Sequence, residues 1–210
     1  MTKTQAGSAP EVPEGGAPVR MTITVFCASS TRIDPKHVEV AAAVGTELAR
    51  RGHTLVTGGG TRSCMGAVAR AAREAGGRTV GVVPAGMPDS QEGADTENDE
   101  LVRTPDMRSR KAEMDRRADG FLILPGGIGT LEELLEVWTA RSLNFHTKPI
   151  VVLDPYGVYE PLRTLMDHLL TEGFNRPAAV EAVSYATEVD AALDLLESEF
   201  RRVGEELLEF

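Results

Sequence analysis

The sequence predicts an α/β protein with a Rossmann-like three-layer fold, in which helices flank both faces of a mainly parallel sheet. From residue 21 onward, short apolar or β-branched runs alternate with segments whose apolar residues have helical spacing. Glycine-rich turns follow two of these runs. Such alternation favours right-handed crossovers between parallel strands, with helices covering both faces of the sheet. At 210 residues, the chain is short enough to form one core.

The first strand and helix are predicted where "MTITVFCASS" precedes "DPKHVEVAAAVGTELARRG". Asp34 and Pro35 are typical of a helix start, and Gly52 is typical of a helix end. The same order recurs in "HTLVTGGG" with "CMGAVARAAREAGG", in "GFLILPGG" with "TLEELLEVWTARSL", and in "KPIVVLD" with "YEPLRTLMDHLLTEG". The run "RTVGVVP" predicts a further strand, and the residues after 187 predict a covering helix.

Two segments lack the residue pattern of a packed strand or helix. Residues 1–20 are rich in Pro, Gly, Ala and Glu and are expected to form a flexible tail, which leaves residues 21–210 as one domain. The polar segment between Pro84 and Leu101 is expected to be either a solvated loop or a lid over the site.

Composition excludes several classes of function. The net charge of −10 disfavours nucleic-acid binding, because phosphates would be repelled at long range. No apolar run is long enough for a membrane span, and the start lacks the hydrophobic region of a signal peptide, so a cytoplasmic protein is expected. Cys27 and Cys64 lack metal or disulfide spacing, and the four histidines are scattered. We therefore expect neither a metal nor a cofactor.

Two glycine loops, residues 58–60 and 126–129, follow predicted strands and should face one cleft. Neither matches the dinucleotide pattern, because Ser63 and Glu132 stand where its last glycine is required, and neither carries the Walker lysine. What remains is a helix N-terminus whose amides can bind a phosphate. Thr130 could donate to that phosphate. The alternative is a tight turn in which Thr130 is the N-cap.

Glu132 and Glu133 are expected in the first turn of the helix after the second loop. There the helix dipole would lower the carboxyl pKa, which suits a base and not an acid. A carboxylate close to a sugar can stabilise an oxocarbenium-like transition state or activate water. A simple preference for acidic residues at helix starts is the alternative explanation.

A cluster of basic residues precedes the strand that leads into this loop. Any one of them could belong to a solvated helix face. Arg110 and Lys111 are the stronger candidates for an anion-binding role, because the predicted helix that carries them points at the cleft. The full cluster consists of Arg103, Arg108, Arg110, Lys111, Arg116 and Arg117.

The segment "MRSRKAEMDRRADGFLILPGGIGTLEELLEVWT" resembles the LOG ("lonely guy") family of cytokinin riboside 5'-monophosphate phosphoribohydrolases, with its Arg-Lys element and its PGGxGTxxE signature. Weaker similarity extends over residues 21–173. Family members have often been labelled lysine decarboxylases, although this chain shows no pyridoxal-phosphate signature. The resemblance implies hydrolysis of the N-glycosidic bond of an adenosine 5'-monophosphate to a free base and ribose 5-phosphate. It also implies a homodimer of Rossmann-like subunits.

The resemblance further implies that Arg110 and Glu133 are the catalytic pair. Because guanidinium holds its proton too tightly to be a simple acid, Arg110 is assigned to orienting the carboxylate or hydrogen-bonding the departing base. The substrate-binding candidates are Lys111, Gly126, Gly127, Gly129, Thr130, Glu132, Glu92, Thr139, Gly59 and Ser29.

Three positions depart from the usual family pattern: Ala28 and Ser63 stand where Gly is usual, and Cys64 where Leu is usual. These departures concern the rim of the expected cleft. Two other functions stay open, namely a non-catalytic nucleotide or cofactor carrier of the same fold, and a different hydrolase or transferase acting on phosphorylated ribose.

Overall fold

The computed structural model describes residues 19–85 and 93–208, with side chains up to residue 205. Strands and helices alternate along almost all of the described chain. In order, they are β1 (Thr22–Phe26), α1 (Pro35–Arg50), β2 (Thr54–Thr57), α2 (Ser63–Glu74), β3 (Thr79–Pro84), β4 (Glu100–Thr104), α3 (Met107–Arg117), β5 (Gly120–Ile123), α4 (Ile128–Ser142), β6 (Ile150–Leu153), α5 (Glu160–Thr171), α6 (Pro177–Val180), β7 (Ser184–Ala186) and α7 (Val189–Leu208).

The strands form one seven-stranded sheet in the order β4-β3-β2-β1-β5-β6-β7. Each neighbouring pair is parallel, and the predicted fold class is thereby confirmed. The sequence patterns missed β4 and β7, the two edge strands. An edge strand is only partly covered, so it lacks the continuous apolar run that marks a central strand of a parallel sheet. β4 reads "ELVRT" and is half-buried along most of its length.

Two apolar layers lie on opposite faces of the sheet. One is built from α1, α2 and α7 and includes Leu48, Val68 and Leu196. The other is built mainly from α3 and α4 and includes Met114 and Trp138. Three residues of β5 alternate between the layers, with Leu122 in the first and Phe121 and Ile123 in the second, as expected for a strand covered on both sides.

The position of β1 determines where a ligand can bind. β1 pairs with β2 on one side and with β5 on the other, so the order of strands reverses there. In open α/β sheets, ligands bind in the crevice outside the carboxyl ends of the strands at such a reversal. The loops after β1 and β5 are therefore the expected walls of the site.

The polar segment between β3 and β4 is partly described. Residues 86–92 lie outside the described residues, but the part that follows packs on the first glycine loop. Ala94 forms an isolated bridge with Gly60, and the amide of Asp95 donates to the carbonyl of Gly59 at 2.7 Å. Asp95 is buried and forms an ion pair with Arg73 at 3.0 Å.

The first described residue, Val19, is buried in the layer that contains α1. Residues 1–18 of the expected tail lie outside the described residues, so the tail and the domain boundary stay predictions. Within residues 19–85 and 93–208, no helix has the length and apolar character that a membrane crossing requires.

Candidate active site

A cavity of about 570 Å³ opens at the carboxyl edge of the sheet, at the crevice between β1 and β5. Its walls are the loop after β1, the glycine loop after β5, the start of α4, and side chains from α2, α3 and the segment before α5. The lining residues are Cys27, Ala28, Ser29, Ser30, Ile33, His37, Met65, Met107, Arg110, Pro125, Gly126, Gly127, Ile128, Gly129, Thr130, Glu132, Glu133 and Val158.

The second glycine loop runs directly into α4, whose N-cap is Gly127. The alternative in which Thr130 is the N-cap is wrong, because the helix begins at Ile128 and Thr130 is buried in its first turn. A Cβ atom on Gly126 would lie 2.1 Å from the Thr130 hydroxyl oxygen, so this position requires glycine. The first amides of a helix lack intrahelical acceptors, and those at the start of α4 border the cavity.

Tyr159 is a residue of this region that the sequence patterns missed. Its buried hydroxyl accepts a hydrogen bond from the amide of Gly126 at 2.9 Å and lies 3.3 Å from the carbonyl oxygens of both Leu124 and Gly126. The amide of Gly126 is therefore occupied. Tyr159 lies 33 residues from this loop and carries no motif, so only the topology could have linked the two.

Arg110 reaches the cavity from α3 and is only 7% exposed. Its Nε donates to the carbonyl oxygen of Val82 at 2.9 Å, and its Nη1 lies 3.4 Å from Oε1 of Glu133. A Cβ atom on Gly58 would lie 1.7 Å from Nη2 of Arg110. The first glycine loop therefore makes room for the guanidinium, a role that the glycine pattern alone did not reveal.

Glu133 faces the cavity from the second turn of α4. The expectation that Glu132 and Glu133 lie in the first turn is wrong, since the helix begins four and five residues before them and has no acidic residue in its first turn. The helix dipole acts mainly over the terminal turn, so its effect on these carboxyl groups is small.

The expected lowering of the Glu133 pKa is also wrong. Burial disfavours the charged form and raises the pKa to about 7, although the charge of Arg110 acts in the opposite direction. The nearby charge of Glu132 raises it further. Glu133 can therefore gain and lose a proton near neutral pH, which is suited to proton transfer as well as to charge stabilisation.

Lys111 and Glu132 pair with each other. The Nζ atom of Lys111 contacts the carboxylate of Glu132 and lies 2.8 Å from Oε2 of Glu136, which raises the Lys111 pKa. Glu132 is 55% exposed and lines the cavity mouth, whereas Lys111 is not among the lining residues of the described chain. The pair links α3 to α4, the two helices that carry Arg110 and Glu133.

Of the remaining predicted binding residues, only some lie at the cavity. Ser29 lines the cavity. Gly59, within the first glycine loop, packs against β3, where an added Cβ atom would lie 2.6 Å from Val83, and Thr139 is exposed three turns along α4. Neither borders the described cavity. Glu92 lies outside the described residues.

Of the three departures from the family pattern, Ala28 lines the cavity, whereas Ser63 and Cys64 are not among its lining residues in the described chain. Ser63 has a φ of +54°, a left-handed conformation that glycine adopts more easily. Its hydroxyl donates to the carbonyl of Ser30 at 2.7 Å, which joins the loops after β1 and β2. The thiol of Cys64 donates to the carbonyl of His37, and burial raises its pKa, so it is not a reactive thiolate.

The arrangement combines three chemical capabilities. Helix amides offer an anion site, Arg110 offers a fixed positive charge, and Glu133 offers a carboxyl group that titrates near neutral pH. Among residues 19–85 and 93–208, no group of three or more His, Cys, Asp or Glu side chains could hold a metal ion.

Known proteins resemble this chain in both sequence and structure. The family model described as possible lysine decarboxylase matches residues 65–196. Cytokinin riboside 5'-monophosphate phosphoribohydrolase from Mycobacterium marinum is 48% identical over 84% of this chain and 93% of that protein. Its namesake from Mycobacterium tuberculosis is 47% identical over 82% and 91%. The molybdenum cofactor carrier protein from Chlamydomonas reinhardtii has a TM-score of 0.65 and 21% identity over 86% and 98%, which shows a shared fold alone.

Proposed function

Because this chain belongs to the LOG family, whose model is described as possible lysine decarboxylase, we infer that it is a nucleotide phosphoribohydrolase. It hydrolyses the N-glycosidic bond of N6-substituted adenosine 5'-monophosphates, such as cytokinin riboside 5'-monophosphate. The products are the free base and ribose 5-phosphate. The resemblance drawn from the PGGxGTxxE segment pointed to the same activity.

The observation that carries the assignment to this cavity is the contact between Arg110 and Glu133 beside a helix N-terminus. The 5'-phosphate binds at the amides at the start of α4, which places the ribose next to Glu133. The cavity lining thus offers an anion site for a phosphate, a carboxyl group for a sugar and apolar side chains for a base. Met65, Met107 and Val158 contribute apolar surface for the base.

The chemical step transfers the ribosyl group from the base to water. The bond between C1' and the base nitrogen breaks, and its electron pair leaves with the base. The ionised carboxylate of Glu133 stabilises the positive charge that develops on the ribose and accepts a proton from the attacking water. Arg110 orients that carboxylate or hydrogen-bonds the departing base. The base takes up a proton from solvent, and Glu133 returns its proton to solvent, which restores the ionised carboxylate. No cofactor takes part in this scheme.

A carrier that binds a nucleotide or cofactor without hydrolysing it is the alternative. Its one structural argument is the fold shared with the molybdenum cofactor carrier. The presence of both Arg110 and Glu133 at the cavity argues against it, because a carrier has no need of a carboxyl group that titrates near neutral pH.

The function is tested with AMP, N6-isopentenyl-AMP and their nucleosides, followed by chromatography of the free base. The two nucleotides should release base, and each nucleoside should react at least about tenfold more slowly in kcat/KM, because it lacks charge-assisted hydrogen bonds worth about 1.4 kcal/mol. Tight nucleotide binding without any free base would favour the carrier. Equal rates for AMP and adenosine would contradict a phosphate site at α4.

The exposed apolar side chains around α4 support a homodimer. Ile128 at the start of α4 is 89% exposed and Phe145 just after it is 80% exposed, and Leu135 and Leu143 are exposed between them. Large apolar side chains that are exposed close together mark protein–protein interfaces. In the proposed homodimer, a second copy covers them.

Sedimentation velocity tests this assembly. The parent should sediment at about twice the 22.5 kDa mass of one chain, and Phe145→Asp should shift it toward the monomer, because a buried unpaired charge weakens an apolar interface. His37→Ala, at the cavity, serves as a control that should keep the parent mass. A parent that sediments as a monomer at micromolar concentration would rule the homodimer out.

A further inference from the structure

The hydroxyl of Tyr159 bridges the backbone on both sides of Pro125. It accepts from the amide of Gly126 at 2.9 Å, and its own proton can go to the carbonyl oxygen of Leu124 or of Gly126, each 3.3 Å away. Tyr159 is 4% exposed, and burial raises its pKa above the usual range, so the hydroxyl stays protonated. One side chain thus hydrogen-bonds backbone groups of the glycine loop on both sides of Pro125.

Tyr159 is itself held in place by the end of the neighbouring strand. Asp154 follows β6, and its two carboxylate oxygens accept from the amides of Val158 at 2.9 Å and of Tyr159 at 2.7 Å. Since β5 and β6 are adjacent and parallel, their carboxyl ends lie at the same edge of the sheet. The turn after β6 is therefore in position to fix the loop after β5.

We propose that Tyr159 is a positioning residue for phosphate binding, which it supports by holding the glycine loop in the conformation that presents the amides of α4 to the 5'-phosphate. The proposal rests on the proposed function. A glycine-rich loop has many accessible conformations, and ordering it costs free energy. A loop already ordered by the protein avoids that cost when the ligand binds. Tyr159 does not line the cavity described above, so it acts through the loop and not by touching substrate.

The position of this contact determines which kinetic constant it affects. Tyr159 contacts the loop at Leu124 and Gly126, before the start of α4. Glu133 lies in the next turns of that helix, and its contact with Arg110 does not pass through the loop. Loss of the Tyr159 hydroxyl should therefore weaken phosphate binding while largely sparing the chemical step.

The test replaces Tyr159 by phenylalanine, which keeps the ring and removes only the hydroxyl. Tyr159→Phe should raise KM for AMP and the inhibition constant of ribose 5-phosphate by about tenfold, with kcat within about threefold of the parent. The preference for AMP over adenosine in kcat/KM should fall by a similar factor. Tyr185→Phe is the matched control, because the Tyr185 hydroxyl is buried without a hydrogen-bond partner in the described chain. It should leave all these constants unchanged.

The outcomes separate this proposal from the proposed function. If Tyr159→Phe lowers the melting temperature but leaves the inhibition constant of ribose 5-phosphate and the AMP preference as in the parent, Tyr159 is structural only and the proposal is wrong. If the parent releases no base, the proposed function is wrong, and calorimetry of ribose 5-phosphate binding to the parent and both variants still decides the role of Tyr159. Equal affinity in all three proteins would overturn it.

Discussion

Replacing Glu133 by glutamine should lower the turnover of AMP by about 100-fold or more while leaving nucleotide affinity nearly unchanged. Glutamine keeps the size of the side chain and can still accept a hydrogen bond from Arg110, but it cannot offset the positive charge that develops on the ribose. Stability should not fall, because burial of Glu133 already disfavours its charged form. A single-turnover assay, with the melting temperature measured in parallel, tests both statements.

Glu132→Gln is the matched control for this variant. Glu132 is next to Glu133 but is 55% exposed and pairs with Lys111, which keeps its second partner Glu136. Since exposed ion pairs contribute about 0 to 1 kcal/mol, turnover should stay within about threefold of the parent. If Glu133→Gln also retains turnover within that range, Glu133 is not catalytic and the chemical scheme is wrong.

The pH dependence of kcat/KM should follow the ionisation of Glu133. Its pKa is raised to about 7, and the carboxylate is the active form, so the rate is at its plateau above that value and is lost as the pH falls through it. One ionisation with this midpoint predicts a decrease of about 100-fold between pH 8 and pH 5. Initial rates across this range, with circular dichroism at each pH to confirm folding, measure the profile.

The 5'-phosphate of the substrate also titrates, with a pKa of about 6, and this would steepen the profile. The slow reaction of the nucleoside provides the correction, because it lacks that group and should show the same midpoint near 7. A rate that instead decreases above pH 7 would mean that Glu133 acts as a protonated acid.

The central strands and long helices could be predicted from sequence because each depends on a local pattern. β1, β2, β3, β5 and β6 are runs of mostly apolar or β-branched residues, since both faces of each are covered. The edge strands β4 and β7 lack such runs and were missed. What defines them is pairing with a neighbour already in the sheet, which no local pattern records.

Part of the cavity lining could be predicted from the sequence, but its electrostatics could not. The motif placed Glu133 near a helix start, and the dipole argument then favoured a low pKa. Whether a side chain is buried depends on tertiary packing, and here burial dominates and raises the pKa. Tyr159 and Gly58 were missed for the same reason, because their contacts with Gly126 and Arg110 join parts of the chain that are distant in sequence.

The central position of β1 also determines when the cleft can exist during folding. Its two walls follow β1 and β5, which are far apart in the chain; the amide of Thr22 reaches the carboxylate of Asp119 across 97 residues. Strands β1 to β4 can pair among themselves first, whereas the β1–β5 pairing must close a long loop, and long-range contacts of this kind form slowly. A nascent chain that ends before Gly120 thus contains one wall of the cleft without the other. A ligand that binds both walls stabilises the junction between the two halves of the sheet, and not either half alone.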